Sequence, residues 1–398
     1  MTKIEIVDAA FRVWGRNFYR KTSLSRLAKE LEVSKSALYR HFVNKKALLD
    51  AMTERFFDDF AASIRADYER AMQISEPDGK ILAMIQGAIR FYARNLYTFI
   101  FSLMNGGDQK PDSGAAAVHL KSRGLDMDKF YHITRKEYAA EPAVTQLAFI
   151  TMSFFMAHFY KIAEKPFEHT PSEDEIQKIT ADICEIIKRG LGFSAETIDA
   201  LNFAELEKQA GETVQNTEPE PLFRAIAEAV AEAGPWRASM EMVASRLGLS
   251  KSSLYGHFKN RKDMLRRLFM SEFGKIVDFA RQGFYLSHVP QEQLYLGIFS
   301  IVVYLRSRPE LLVSMGWIRT RKLDLGKPEK DDFFRLFDEI DTELLRNAGE
   351  EKKRRISYWI LFLIINILMR SGPAENEWNN NIRSLYRFIT LGLKGFKQ

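Results

Sequence analysis

Cysteine occurs once in the chain, at Cys184, which excludes an internal disulfide and a zinc site built from cysteines. Glycine and proline are scarce, 22 and 12 of 398 residues, so few positions interrupt a helix. Apolar residues recur with a 3.6-residue period and strand-like alternation is missing, so the chain reads as all-α. A long hydrophobic run is also missing. The stretch 356–369 is nearly all apolar, but it contains Asn366 and is bounded by Arg354, Arg355 and Arg370. It falls short of the roughly 20 residues a bilayer demands and suits a helix covered by protein on every side. No glycine-rich phosphate loop, His-Glu-x-x-His or Gly-x-Ser-x-Gly motif is present. His119, His132, His158, His169 and His288 lack ligand spacing. Neither an enzyme nor a metal or cofactor site is expected. The first residues enter an amphipathic stretch (Val7, Ala10, Phe11, Trp14) without a secretory pattern, so a cytoplasmic location is expected.

What the chain does contain is a repeat. Its length allows two or three compact units, and 46% apolar with 28% charged residues is ordinary for a protein with a buried core. An offset of 216 lays residues 23–49 over 239–265 without a gap. Identities include Ser23/Ser239, Ala28/Ala244, Leu31/Leu247, Ser34/Ser250, Lys35/Lys251 and Ser36/Ser252. They continue through Leu38/Leu254, Tyr39/Tyr255, His41/His257, Phe42/Phe258, Asn44/Asn260, Lys46/Lys262 and Leu49/Leu265. The period is far longer than that of a solenoid, so each copy is a whole domain set. Residues 205–221, rich in Glu, Gln, Thr and Asn, read as the linker between copies, although 194–209 also carries a short-helix pattern. The expected division is head 1 at 1–50, body 1 at 51–204, linker at 205–221, head 2 at 222–267 and body 2 at 268–398.

Within one head, a helix from about Thr2 to Trp14 precedes two short ones. Ser23 is placed to cap a helix bearing Leu24, Leu27, Ala28 and Leu31, and Ser34 to cap another from Lys35 to Phe42. Val33 would plug the angle between them, and His41 and His257 would pack to steady the short helix. Asn44 would cap the next helix, from Lys45. Two short helices joined by a tight turn form a helix-turn-helix, whose second helix enters a major groove. Lys35, Ser36, Ala37, Tyr39 and Arg40 would then face DNA, with Lys45 at a phosphate-facing helix start. Residues 1–50 hold 11 Lys+Arg against 5 Asp+Glu, and 220–270 hold 9 against 5, so positive charge concentrates in the heads.

The run Leu38-Tyr39-Arg40-His41-Phe42, then Asn44-Lys45-Lys46 and Leu48-Leu49, resembles the TetR family of bacterial regulators. The second copy repeats it as Leu254-Tyr255-Gly256-His257-Phe258, Asn260-Arg261-Lys262 and Met264-Leu265. The resemblance covers about 50 residues of each copy and implies a three-helix DNA-binding head on a helical, ligand-binding body. It also implies dimerisation through the last two helices of each body. It places DNA contacts at Lys35, Ser36, Ala37, Tyr39 and Lys45, and at Lys251, Ser252, Ser253, Tyr255 and Arg261; Arg40, Ser23 and Ser239 are expected DNA-binding residues beside them. Two such units in one chain imply an intrachain pseudo-dimer, a monomer that acts on double-stranded DNA as a dimer would. Arg40 faces Gly256 and Ala37 faces Ser253, so the two half-sites are expected to be unequal, with the second head contributing less electrostatic affinity.

In the bodies, helices are expected at 47–72, 80–104, 127–139, 143–163 and 174–189, then at 264–286, 291–306, 330–347, 351–369 and 378–392. Aromatic stripes run through Phe91, Tyr92, Tyr97, Phe99 and Phe101, and through Phe149, Phe154, Phe155 and Phe159. The second body has Tyr295, Phe299, Tyr304, Trp317, Tyr358 and Trp359. Such stripes are usually core; any effector would be an apolar or aromatic small molecule on lining composition alone. The rival to a DNA-binding repressor is a helical scaffold whose heads bind a protein partner.

Overall fold

The computed structural model describes residues 2–17, 23–105, 113–130, 142–161, 170–213, 220–234, 237–320, 348–369 and 375–396, with isolated positions between 337 and 346. All regular elements among them are helical. The first head is α1 (Lys3–Asn17), α2 (Leu24–Glu30) and α3 (Lys35–His41). The helices α4 (Lys45–Gln73), α5 (Pro77–Arg94), α6 (Leu96–Asn105), α7 (Ser113–Lys121), α8 (Pro142–Phe159) and α9 (Glu173–Arg189) follow. Next come α10 (Ala195–Asp199), α11 (Phe203–Thr213) and the second head, α12 (Pro221–Ala233), α13 (Met240–Leu247) and α14 (Lys251–His257). The chain ends with α15 (Arg261–Phe284), α16 (Pro290–Arg306), α17 (Pro309–Thr320), α18 (Glu350–Leu368), α19 (Glu375–Leu391) and a 3₁₀ turn, Gly392–Phe396.

Contacts divide the chain into two compact units, with a boundary between Cys184 and Glu185 inside α9. In the first, Leu24, Leu27, Ala28, Leu38 and Phe42 close the head core with Ile6, Ala10 and Phe11 of α1. The 29-residue α4, about 44 Å long at helical rise, begins in the head and packs along α5. At the junction Phe11 meets Phe101 edge-on at 5.0 Å, and Phe56, Phe60 and Phe91 continue the cluster. Aromatic packing of this kind ties the head to α4, α5 and α6 without any polar group to satisfy.

In the second unit the head core is Ile226, Ala229, Val230, Val243, Ala244, Leu254 and Phe258, closed by Leu265 and Leu268 of α15. Its junction adds polar contacts to this apolar core. Glu272, which occupies the same step of α15 that Phe56 occupies in α4, is buried. It accepts hydrogen bonds from Tyr304 Oη and, at 2.8 Å, from Lys275 Nζ. Ser314 Oγ of α17 donates to the carbonyl of Ala227 in the head at 3.0 Å. The helix α17 itself was not anticipated from the sequence.

The segment expected as a linker is helical in its first half. Leu206 and Ala210, one turn apart, are buried in α11, and so is Glu207. That carboxylate accepts a bidentate pair from Arg383 (Nε and Nη2, 2.7 Å each), Tyr295 Oη at 2.6 Å and Asn379 Nδ2 at 3.2 Å. The polar composition that suggested a solvated linker thus conceals a satisfied buried charge; residues 214–219 lie outside the described residues.

The end of α9 meets the end of α19 through glycine. Gly190 (φ +56°) and Gly392 (φ +62°) lie back to back, and a Cβ at Gly190 would sit 2.4 Å from the carbonyl oxygen of Ile389. A Cβ at Gly392 would sit 2.5 Å from that of Ile187. Leu191 N–H donates to Ile389 O at 2.8 Å, and the Gly192 and Phe193 amides donate to Thr390 O. Only glycine permits both the left-handed backbone and this approach.

The apolar stretch 356–369 forms most of α18, buried on nearly every face, with Asn366 Nδ2 donating to Phe362 O at 2.6 Å. Among the described residues no helix is long and apolar enough to cross a membrane. The expected helix 80–104 is two helices, broken at Asn95, whose side chain donates to Phe91 O at 2.8 Å. Most of the expected helices 127–139 and 330–347, and the side chain of Trp317, lie outside the described residues.

Candidate nucleic-acid interface

The caps that hold the short helices are the same in both heads. Ser23 Oγ accepts from Arg26 N at 3.2 Å, Ser34 Oγ from Ala37 N at 3.1 Å and Asn44 Oδ1 from Ala47 N at 2.8 Å. Their counterparts Ser239, Ser250 and Asn260 accept from Met242 N (3.2 Å), Ser253 N (3.1 Å) and Asp263 N (3.0 Å). Each cap satisfies an otherwise unpaired helix N–H and so fixes where the short helix starts. Ser23 and Ser239 are thereby seen as helix caps.

The turn repeats as well, with different chemistry. Glu32 (φ +53°) and Gly248 (φ +64°) take the left-handed conformation at the matching position, and glycine takes it without a Cβ penalty. Val33, expected to plug the angle, is half-buried, and Leu249 opposite it is 41% exposed. His41 and His257 are exposed rather than packed. The inward positions are filled by Leu38, Phe42, Leu254 and Phe258, which leaves the histidines outside.

On the outer faces the expected residues come together. In α3, Lys35, Ser36, Tyr39 and Arg40 are exposed and Ala37 is half-buried; in α14, Lys251, Ser252, Ser253 and Tyr255 are exposed. Tyr39 and Tyr255 are 40% and 48% exposed, unusual for large rings with so much core nearby. Lys35 Nζ lies 5.8 Å from the Tyr39 ring centroid and Lys251 Nζ 6.0 Å from that of Tyr255, so each helix presents a cation held against an aromatic face. Lys45, at the start of α4, lies over the Trp14 ring at 5.9 Å, and Arg261 starts α15 in the same place. A row of cations, hydroxyls and helix N-termini on one side of a small domain can engage phosphates and groove edges.

The heads differ in four ways. Arg40 is matched by Gly256, yet the cation returns three residues on at Lys259, where head 1 has Val43, 76% exposed. Ser252 and Ser253 Oγ each lie 2.8 Å from Ser250 Oγ, tied back to their own cap. Glu241 of α13 forms an ion pair with Lys251, and the lysine holds its carboxyl down to about 2. Asp263 accepts from Lys259 N at 3.1 Å and pairs with Arg267 at 3.4 Å; the Lys259 amide and this cation keep its pKa below the usual carboxylate range. Glu241 and Asp263 replace Ser25 and Ala47, a difference present in the aligned copies but hidden among unmatched columns.

The described residues of the aromatic stripes in the bodies are buried or half-buried. Phe91, Tyr92, Phe99 and Phe101 are buried against one another and Phe60, and Tyr295, Phe299, Tyr304 and Trp359 are buried in the second unit. A groove of about 620 Å³ in that unit is bordered by Ala204, Glu207, Val303, Arg306 and Asn379, and takes only Phe299 from the stripes. Among the described residues no cluster of His, Cys, Asp and Glu has the makings of a metal site.

The profile described as "Bacterial regulatory proteins, tetR family" matches residues 6–52 and again 222–268. The HTH-type transcriptional repressor ComR of Escherichia coli (strain K12) is 30% identical over 120 residues, 29% of this chain and 55% of that protein. An uncharacterized HTH-type transcriptional regulator, YuxN of Bacillus subtilis (strain 168), is 36% identical over 53 residues, 13% of this chain and 18% of that protein. The chain thus spans about half the length of the first relative and less of the second. Among solved structures, the TetR family transcriptional regulator PfmR from Thermus thermophilus is 15% identical, with a TM-score of 0.32 over 46% of this chain and 95% of that one. The fatty acid degradation regulator FadR from Bacillus halodurans is 17% identical, with a TM-score of 0.35 over 45% of this chain and 99% of that one.

Proposed function

We propose, on the premise that two tetR-family heads stand in tandem in this chain, that the protein regulates transcription by gripping one DNA duplex with both heads, as a single-chain pseudo-dimer. The carrying observation is the recurrence, in two identically capped frames, of an exposed lysine–tyrosine pair: Lys35 with Tyr39, and Lys251 with Tyr255. Ser36, Ala37 and Arg40 join the first contact and Ser252 and Ser253 the second, with Lys45 and Arg261 on phosphate and Ser23 and Ser239 at the flanking helix starts. Repression is the favoured sense of regulation, as in the relative named a repressor, with release by an apolar or aromatic small molecule taken up by a body.

Closure within one chain draws support from the glycine contact of α9 and α19, the last long helices of the two copies. Fusion would give the second head a high effective concentration once the first has bound. The half-sites are read as unequal because Arg40 and Ala37 face Gly256 and Ser253. Salt titration of duplex binding, with light scattering on the complex, tests the proposal. Neutralising about six phosphates gives a log–log slope near −5, with one chain per duplex. A flat salt response would favour heads that bind protein, and a stable dimer of chains would refute the intrachain pairing.

A further inference from the structure

The two heads carry similar net charge in their aligned windows but distribute it differently. Within residues 23–49 the acidic residues are Glu30 and Glu32, at the end of α2 and in the turn. Head 2 carries them at helix starts, on the side proposed to face phosphate. Glu241 is the second residue of α13 and Asp263 the third of α15. Their partners are the groups DNA would need. Glu241 pairs with Lys251, the first residue of the recognition helix, and Asp263 accepts the Lys259 amide beside the Arg261 helix start.

We propose that Glu241 and Asp263 are affinity-setting residues that make head 2 the weaker DNA contact, each carboxylate competing from within the protein with a phosphate. Head 1, with Ser25 and Ala47 at these places, makes the first contact. Head 2 engages when Lys251 exchanges its carboxylate for DNA, so its grip is the more easily released. The loss of Arg40 at Gly256 accounts for only part of this asymmetry, because a cation returns three residues on in the sequence at Lys259. The inference rests on the DNA-binding reading above and adds to it which head yields first and through which side chains.

The test uses the full chain and a mixed-sequence duplex of about 30 base pairs, long enough for two half-sites a turn apart, with binding followed by fluorescence anisotropy at low salt. Glu241→Gln and Asp263→Asn keep shape and hydrogen-bond acceptors while removing charge. A unit charge several Å from a phosphate in a water-like dielectric corresponds to roughly a threefold change in affinity. Each variant should therefore bind about threefold tighter and the double variant about tenfold. Ser25→Glu, the reciprocal change, should loosen binding by about threefold. Unchanged or weaker binding by both neutralised variants, in a chain whose wild type binds DNA with a steep salt slope, would overturn the inference alone. A wild type without salt-sensitive binding, indifferent to Lys35→Ala and Tyr39→Ala, would overturn the DNA reading and this inference with it.

Discussion

Replacing Gly190 by alanine should be among the most damaging single-methyl changes in the chain. Its φ of +56° is a region L-residues enter at a cost of about 1–2 kcal/mol. The new Cβ would also lie 2.4 Å from Ile389 O, 2.7 Å from Gly392 N and 2.8 Å from Thr390 C, all backbone atoms that no rotamer change can move. Overpacking of this kind adds about 1–3 kcal/mol, for a total near 2–5 kcal/mol. Gly192 is the internal control. It has φ +83° and nothing within 4 Å of its Cβ position, so Gly192→Ala should carry only the backbone cost of about 1–2 kcal/mol. Gly392→Ala (φ +62°, Ile187 O at 2.5 Å) should resemble Gly190→Ala. Because the two glycines touch, the double variant should cost less than the sum of the singles. Urea denaturation of the full chain measures all four. If Gly190→Ala is no more destabilising than Gly192→Ala, the close crossing of α9 and α19 is wrong.

The turn of head 1 offers a stabilising change: Glu32→Gly should raise stability by about 0.5–1 kcal/mol, and Gly248→Ala should lower it by about 1 kcal/mol, read from the melting of each head by hydrogen exchange. Removing Arg383 should cost about 3 kcal/mol because it leaves Glu207 buried without its bidentate partner, and Glu207→Gln should cost less; urea unfolding distinguishes them. Burial pushes the Cys184 thiol up to about 11, so at pH 8 it should react with iodoacetamide at least tenfold more slowly than free cysteine until the chain is unfolded. Rapid labelling of the folded chain would show that the half-buried Cys184 is not shielded by its neighbours.

The heads were legible because their instructions are local. Ser34, Asn44 and their counterparts cap helices within three residues, and Leu38 and Phe42 recur at helical spacing, so identity at an offset of 216 carries the geometry with it. The meeting of α9 and α19 was not legible in that frame. Gly190 and Gly392, followed by Leu191 and Leu393, repeat at an offset of 202, because the stretches between differ in length. Searching each segment with its own offset would have found them. The short-helix pattern at 194–209 foreshadowed α11, but its burial escaped: composition marks Glu207 as solvent-facing, and only the distant Arg383 and Tyr295 make its burial tolerable. The exposed outer faces of α3 and α14 were readable from helical spacing, but the pairing of Glu241 required knowing that α13 presents its second residue to Lys251. Chain-local signals therefore mark out the proposed interface, while the charges proposed to set its strength come from contacts between helices.

Selection of bound duplexes from a random pool, followed by the mass of the chain–DNA complex, reaches the central claim most directly. One chain per duplex is expected, on two related but unequal half-sites about one helical turn apart, with Lys35→Ala impairing one half and Lys251→Ala the other. A perfect palindrome occupied by two chains, or a single half-site insensitive to either lysine, would contradict it.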